Sequence, residues 1–318
     1  MDRERVPAMS GRPVSLGADL DLAEREAIAP PGGPSLGTMP SARRSRLGAA
    51  ARSIVRTPSA VVGLGVVIFW VLCALGWPLV VPYDPDAQDA TALLALPSPA
   101  HLFGADHLGR DVLSRVLAGS REVLLLAPAA TLIGLIGGIA VGLAAAYYGG
   151  WFDEILMRVM DAIMAFPFII LALLILSVMG PSARNVIIVI GLGYIPLTGR
   201  VVRAAALSVR DLDYVAAARL RGARGIEIML TEILPNITGP IVVEATVRVG
   251  YAIFAIASLS FLGLGVPPPS ANWGAMINET RLYLTINPAI VLAPTLAIGS
   301  LVVAINLVAD GLRRVVRG

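Results

Sequence analysis

The sequence predicts an all-α polytopic membrane protein with six transmembrane helices, and three observations lead to this prediction. Of its 318 residues, 56% belong to the set AVILMFWYC and 15% are charged, and the mean hydropathy is +0.78. Soluble domains contain about 25% charged residues. With so little charge, a chain of this length could not cover an apolar core in water, so the bilayer is its predicted solvent.

Residues 1–58 are predicted to form a disordered cytoplasmic tail ahead of a transmembrane domain at 59–318. The tail is rich in proline, glycine and serine with scattered charge, and it shows neither a helical nor a strand period. Such a composition does not build a packed core. A signal peptide is not predicted, because the first apolar run begins about 60 residues into the chain.

Six apolar segments follow the tail. Four charge-free runs are long enough to cross a bilayer, which takes about 20 helical residues. A fifth run, at 185–199, is short, but two arginine residues just beyond it can reach the interface with their long side chains. The remaining run is extended back to Gly239. The predicted spans are 61–81, 123–148, 162–183, 185–206, 239–265 and 289–309.

Arginine placement predicts the orientation of these spans. With the N-terminus in the cytoplasm, the inside segments contain fifteen arginine residues and the outside segments contain five. Basic residues accumulate on the cytoplasmic side of membrane proteins. Both termini and the 208–237 loop are therefore predicted to be cytoplasmic, and loop 82–121 is predicted to be outside.

Two compositional facts exclude classes of chemistry. All 25 basic residues are arginine, so the chain has neither the lysine of a P-loop nor a Schiff-base lysine. Its one cysteine, Cys73, allows no intrachain disulfide and no cysteine-cluster metal site. The sequence predicts no catalytic residue and no cofactor.

A stripe of small residues runs along the second predicted span. Gly134, Gly138 and Gly142 recur every four residues and would lie on one face of a helix. Small residues at this spacing let another helix approach closely in lipid. We predict a helix-packing face here, and a glycine-rich helix without a partner is the alternative.

The outer loop contains both histidines of the chain. His101, Asp106, His107 and Asp111 could be interpreted as a metal cluster, but they lack an i,i+4 histidine pair. We favour a folded loop in which Asp106 or Asp111 caps the following helix.

The 208–237 loop is predicted to form two short helices joined at a turn. Asp211 or Asp213 can cap the first, Gly222 suits the left-handed residue that ends it, and Pro235 closes the second. Spacing alone leaves two interpretations open: a docking element for a partner, or an amphipathic hairpin on lipid headgroups.

Glu244 and Arg248 lie inside the fifth predicted span, four residues apart on one helix face. Alone in lipid, each would cost about 2.5–3.5 kcal/mol on insertion scales. We predict an intramembrane ion pair, with either a structural role or a role in a pathway or gate.

Several separated motifs resemble one known family. Residues 101–121 resemble the FGTDxLGRD loop of the dipeptide, oligopeptide and nickel importer permeases. Residues 214–236 resemble the EAA loop of ABC importer permeases, and 257–276 and 306–313 match the same group. The resemblance covers roughly 60–318, and it is closest to the C-type subunit of the permease pair, which carries a cytoplasmic tail.

This resemblance implies the type I permease fold and a set of partners: a homologous second permease, two cytoplasmic ATPase subunits that dock on the EAA loops, and an extracytoplasmic substrate-binding protein. It also implies that ATP is hydrolysed by the ATPase subunits and not by this chain. The implied substrate is a di- or oligopeptide, while nickel and other small solutes occur among relatives.

The coupling residues implied by the resemblance follow by position. Ala217, Ala218 and Gly222 match the AA and G of the EAA motif, and Leu234 and Pro235 match its LP. Tyr214 begins the matching segment. The motif has glutamate where this chain has Ala216. This departure puts in doubt one polar contact to the ATPase but not the docking as a whole.

Two functions of other classes are alternatives to the importer permease. An ion-coupled secondary carrier needs intramembrane carboxylates, and Glu244 is the one available to it. A membrane scaffold that moves no solute would use the 208–237 loop as a binding site for a partner.

Overall fold

The computed structural model describes the backbone of residues 57–317 and the side chains of residues 57–314. The tail predicted over 1–58 lies outside the described residues except for its last two positions, where the first helix begins. Within residues 57–317 the regular secondary structure is helical, with loops over 81–111 and 262–272, and the β pairing there is a single isolated bridge between Ala105 and Asp111.

Ten α-helices and three short helical segments of other types make up the described chain. The α-helices are α1 (Pro58–Val80), α2 (Val112–Tyr148), α3 (Gly150–Met164), α4 (Phe168–Met179), α5 (Ala183–Leu207), α6 (Asp213–Leu220), α7 (Gly225–Glu227), α8 (Thr238–Phe261), α9 (Trp273–Thr280) and α10 (Ala289–Arg317). The other segments are a π-helix (Ile228–Ile233) and two 3₁₀-helices (Leu234–Ile237 and Arg281–Tyr283).

Five helices in the described chain are long and apolar enough to cross a membrane, and the number is six if a bent pair counts as one span. The bent pair is α3 and α4, whose axes differ by 80°. The predicted span over 162–183 is therefore not one straight helix. Pro167 explains the break, because it has no N–H to donate and its ring collides with the carbonyl four residues earlier.

α2 begins eleven residues before the predicted span at 123–148, at Val112. Asp111 caps it, since its carboxylate accepts a hydrogen bond from the backbone N–H of Ser114 at 2.8 Å. The charged residues in these first eleven positions of α2 had favoured a loop. Arg115 is nevertheless completely buried, and its guanidinium donates to the carbonyl oxygen of Ser270 at 2.9 Å.

The largest apolar cluster lies among α1, α2, α4, α5, α8, α9 and α10. Trp273 of α9 is fully buried, and its indole N–H donates to the carbonyl oxygen of Val116 at 2.9 Å. Its ring also meets that of Trp70 edge to face, with centroids 4.9 Å apart. These contacts fix the loops that connect the spans at this end of the bundle.

A second apolar cluster lies at the other end of the bundle, where α2 and α5 terminate. Its buried residues are Leu143, Ala146, Val202, Ala206, Val215, Ala218, Ile228, Met229, Ile233, Ile237 and Ile241. The 208–237 segment is thus packed onto the helix ends by its own apolar residues.

Candidate functional site

The candidate site is the 208–237 segment, which folds as α6, a turn at Gly222, and a second helical stretch. α6 exposes one side and buries the other. Val215 and Ala218 are completely buried, whereas Ala216, Ala217 and Leu220 are exposed. Buried residues three apart on an eight-residue helix define one face, so the opposite face is available to a partner.

Gly222 ends α6 in the left-handed conformation, with φ of +77°. Its N–H donates to the carbonyl oxygen of Arg219 at 3.0 Å, and the N–H of Ala223 donates to that of Ala218 at 3.2 Å. These two bonds form a Schellman motif, in which glycine avoids the Cβ clash of the left-handed region. A Cβ atom at Gly222 would meet nothing within 4 Å, so backbone conformation alone requires glycine here.

Polar contacts fasten the segment to the end of α2. The guanidinium of Arg210 donates to the carbonyl oxygen of Ala146 at 2.6 Å, where a cation also stabilises the helix C-terminus. Arg219 lies over the ring of Tyr147, 5.5 Å from its centroid. Gly225 approaches the same ring so closely that an added Cβ would lie 2.9 Å from it. The position of the segment therefore follows the position of α2.

The accessible surface of the segment is apolar and basic. Leu220 is 90% exposed, and Ile226 and Leu230 are more than half exposed. Arg221 follows Leu220 in the chain and is paired with Glu232 at 3.6 Å. Exposed aliphatic side chains outside the apolar spans suit a protein partner.

The structure corrects two details of the predicted hairpin. Pro235 does not close the second helical stretch, which passes through the π-helix and a 3₁₀ turn directly into α8. The π-helix shifts the bonding by one residue, with the N–H of Leu234 donating to the carbonyl oxygen of Met229, so the missing N–H of proline is accommodated. The N-cap of α6 is Leu212, and Asp213 lies in its first turn.

Tyr214 anchors the start of α6 from the partly buried side. Its hydroxyl is buried and has no hydrogen-bond partner among the described residues. Burial raises the pKa of the hydroxyl, and the carboxylate of Glu232 raises it further. The tyrosine therefore stays protonated to a higher pH than a free tyrosine.

The glycine stripe of α2 faces α5. Cβ atoms added to Gly134 and Gly138 would lie 2.5 Å from the Cβ atoms of Tyr194 and Thr198, and one added to Gly142 would lie 2.5 Å from the carbonyl oxygen of Gly199. These distances are too short for any side chain. The backbones of the two helices therefore approach each other along three successive turns.

Glu244 and Arg248 form an ion pair on α8, with nitrogen and oxygen 2.6 Å apart and both side chains largely buried. Two tyrosines that the sequence analysis did not single out complete this cluster. The guanidinium lies 5.6 Å from the ring centroid of Tyr194 and 5.7 Å from that of Tyr251. Tyr194 gave no signal because it comes from another helix, α5, whereas Tyr251 lies three residues after Arg248 on α8, a spacing that places both on one helix face.

The four outer-loop residues considered as a metal cluster are divided among other partners. His101 pairs with Asp111 at 2.9 Å, while Asp106 pairs with Arg110 at 2.7 Å. His107 stacks on the ring of Tyr283. In the described part of the chain, no group of three or more His, Cys, Asp or Glu residues is arranged to hold a metal ion.

Two family models match the sequence. The family described as binding-protein-dependent transport system inner membrane component matches residues 138–317. The N-terminal transmembrane domain of oligopeptide transport permease C matches residues 45–97. The first match contains the whole 208–237 segment.

Relatives cover most of the chain. A Brucella suis biovar 1 protein named for a peptide transport system permease is 42% identical over 89% of this chain and 95% of its own length. The glutathione transport system permease protein of Pectobacterium atrosepticum is 41% identical over 79% and 84%. The dipeptide transport system permease protein of Alkalihalophilus pseudofirmus is 36% identical over 82% and 86%.

A solved structure shares the fold. An inward-facing conformation of the MetNI methionine ABC transporter aligns with a TM-score of 0.54 at 20% identity, covering 64% of this chain and 96% of that chain. At this identity the likeness concerns the fold alone.

Proposed function

Since this chain belongs to the family of binding-protein-dependent transport system inner membrane components, among its peptide and oligopeptide importer permeases, we propose that it forms half of a translocation pathway for di- and oligopeptides. It is a multi-pass inner membrane protein and a permease subunit of an ABC importer. It is not an enzyme, because ATP hydrolysis belongs to the ATPase subunits of such importers.

The proposed complex contains one copy of this chain, a homologous second permease, two cytoplasmic ATPase subunits and an extracytoplasmic substrate-binding protein. We place both termini, the 1–58 tail and the 208–237 segment in the cytoplasm. The arginine bias of fifteen to five supports this orientation.

The observation that carries the coupling role is the two-sided construction of α6. Its buried side, with Val215 and Ala218, packs onto the ends of α2 and α5, and its other side is exposed outside the apolar spans. A helix built in this way can pass a movement of an ATPase subunit to the spans. Residues Tyr214, Ala216, Ala217, Ala218, Gly222, Leu234 and Pro235 are the proposed coupling residues.

A peptide substrate is supported by the relatives, which are named for peptide, dipeptide and glutathione transport. Glutathione is itself a tripeptide. An importer for nickel or another small solute is the alternative within the class. An ion-coupled carrier is disfavoured by the structure, because Glu244, the carboxylate it would use, is neutralised by Arg248.

Uptake by the reconstituted importer tests the proposal. The full complex is placed in proteoliposomes with ATP on the ATPase side and the binding protein with a radiolabelled dipeptide on the other. We expect accumulation that requires both ATP and the binding protein. Accumulation without either one, driven by an ion gradient, would contradict the importer function.

A further inference from the structure

The break between α3 and α4 comprises residues 165–167, which the coupling role of the 208–237 segment does not explain. All three residues are exposed in this chain. α4 has twelve residues and is therefore about 18 Å long, whereas the hydrocarbon core is about 30 Å thick. α4 alone cannot cross the membrane.

The depth of the break follows from contacts with α5. At the far end of α4, the amide of Asn185 donates to the carbonyl oxygen of Met179 at 3.0 Å, so this end lies level with the start of α5. At the near end, the ring of Phe168 lies 5.9 Å from that of Tyr194, close to the midpoint of α5. The break is therefore level with the middle of a helix that spans the bilayer.

Non-helical backbone at this depth has restricted surroundings. Pro167 has no N–H, so the carbonyl of Ile163 lacks its helical donor. Lipid supplies no hydrogen bonds, and irregular backbone is found at membrane depth only where it is buried in protein or lines a water-filled cavity. In this chain Phe166 is 63% exposed, so the chain itself does not bury the break.

A second, independent observation concerns the same face. The ring of Tyr194 that contacts Phe168 also contacts the guanidinium of Arg248, and Arg248 in turn reaches the ring of Tyr251. Tyr251 is 58% exposed. Ionisable and polar side chains at membrane depth face a bundle interior or an aqueous cavity rather than lipid.

We propose that the face formed by the 165–167 break, Arg248 and Tyr251, with the buried ring of Tyr194 beneath it, is the wall that this chain contributes to the translocation pathway, with the transported peptide and water as its occupants. The inference rests on the proposed function and extends it by naming pathway residues. The carboxylate of Glu244 holds the side chain of Arg248 in place, and the two opposite charges leave the pair with almost no net charge. The wall therefore offers carbonyl oxygens, a tyrosine hydroxyl and guanidinium N–H groups to a polar solute without a strong net charge.

Cysteine accessibility tests this proposal directly, because Cys73 is the only cysteine of the chain. In a Cys73→Ser background, Phe166→Cys and Tyr251→Cys are introduced singly, and Ala165→Cys replaces Phe166→Cys if the latter fails to assemble. The matched control is Ile68→Cys on α1, which is 48% exposed. The exposed residues of α1 are all apolar. Gly63 of α1 lies next to Ala304 of α10, and Gly250 of α8 lies next to Ile305 of α10. This part of α1 is therefore near the depth of Tyr251.

The full complex in proteoliposomes is treated with a charged, membrane-impermeant methanethiosulfonate, both without nucleotide and trapped with ATP and vanadate. We expect the cysteines at the break and at 251 to react at least about tenfold faster than the one at 68 in one of the two states. The proposal is overturned if the cysteine at the break or the one at 251 reacts no faster than the control in both states. It is also overturned if these cysteines react fast only with a bilayer-soluble maleimide, because that result places this face against lipid. Neither result depends on whether the complex transports peptides, so failure of the uptake experiment remains a separate finding.

Discussion

A Cβ atom added to Gly138 would lie 2.5 Å from the Cβ atom of Thr198, so α2 and α5 meet at backbone distance in the middle of the bundle. We predict that Gly138→Leu disrupts this contact. Overpacking a tight interface costs about 1–3 kcal/mol, and more where the backbone cannot yield. The yield of intact complex after mild detergent extraction should fall several-fold.

Gly65→Leu is the control for this prediction. Gly65 lies on the exposed side of α1, and a Cβ atom there would meet nothing within 4 Å. The same enlargement should leave the yield unchanged. Equal yields for the Gly138 variant, the Gly65 variant and the unaltered chain would show that α2 and α5 do not depend on close approach.

The ion pair on α8 gives a second prediction. Glu244→Ala leaves Arg248 without its carboxylate in a poor solvent, and loss of one member of a buried pair costs about 3–5 kcal/mol. The double variant with Arg248→Ala removes both charges and should be more stable than Glu244→Ala alone. Thermal unfolding of the purified complex measures Glu244→Ala, Arg248→Ala and the double variant, and additive effects would indicate that the residues act independently.

α6 gives a third prediction, because neighbouring alanines face opposite ways. Ala218 is completely buried, so Ala218→Glu buries a carboxylate without a partner. We expect α6 to lose its packing against the ends of α2 and α5. Ala216 is exposed, so Ala216→Glu should change stability by no more than about 0.5 kcal/mol. Limited proteolysis at the arginines of the 208–237 segment measures whether α6 is packed against α2 and α5. Equal cleavage of both variants would contradict the assigned faces.

Most of the span positions could be predicted because charge-free runs of about 20 residues have few alternatives in a membrane protein. The third span shows the limit of that argument. Hydropathy over 162–183 is continuous, and whether Pro167 bends or breaks a helix depends on the neighbours that support it. The start of α2 was not predicted because its charged residues suggested an exposed loop. In the structure, ion pairs and carbonyl oxygens satisfy the guanidinium of Arg115, so it is buried in the helix.

The conformation at Gly222 was predictable because it depends on local sequence: a helical pattern ends there and only glycine adopts φ of +77° without strain. Tyr251 could have been joined to Arg248 by its i,i+3 spacing on α8, but Tyr194 was not predictable. Tyr194 reaches the cluster from another helix, and no spacing rule joins residues that tertiary packing brings together. The same holds for the contact between Arg210 and Ala146.

The proposed orientation gives a fourth prediction. A protease site inserted after Ala90, which is exposed in the outer loop, should be cut from outside in intact cells. A reporter enzyme fused after Gly318 should be active only in the cytoplasm. Finding both positions on the same side would contradict a six-span topology.

The central claim is that the 208–237 segment couples ATPase subunits to the spans, and Gly222 tests it most directly. Replacing glycine in the left-handed region costs about 1 kcal/mol, which is too little to unfold the bundle. The space around Gly222 is open, so a glutamate there would fit within this chain, but it would tilt α6 and add a charge to its exposed side.

The measurement is the ATPase activity of the reconstituted complex with and without the substrate-loaded binding protein, for the unaltered chain, Gly222→Ala and Gly222→Glu. We predict normal insertion of all three, partial loss of stimulation in Gly222→Ala, and loss of nearly all stimulation in Gly222→Glu. Full stimulation of the Gly222→Glu complex would contradict the coupling role and favour a segment that lies on lipid headgroups.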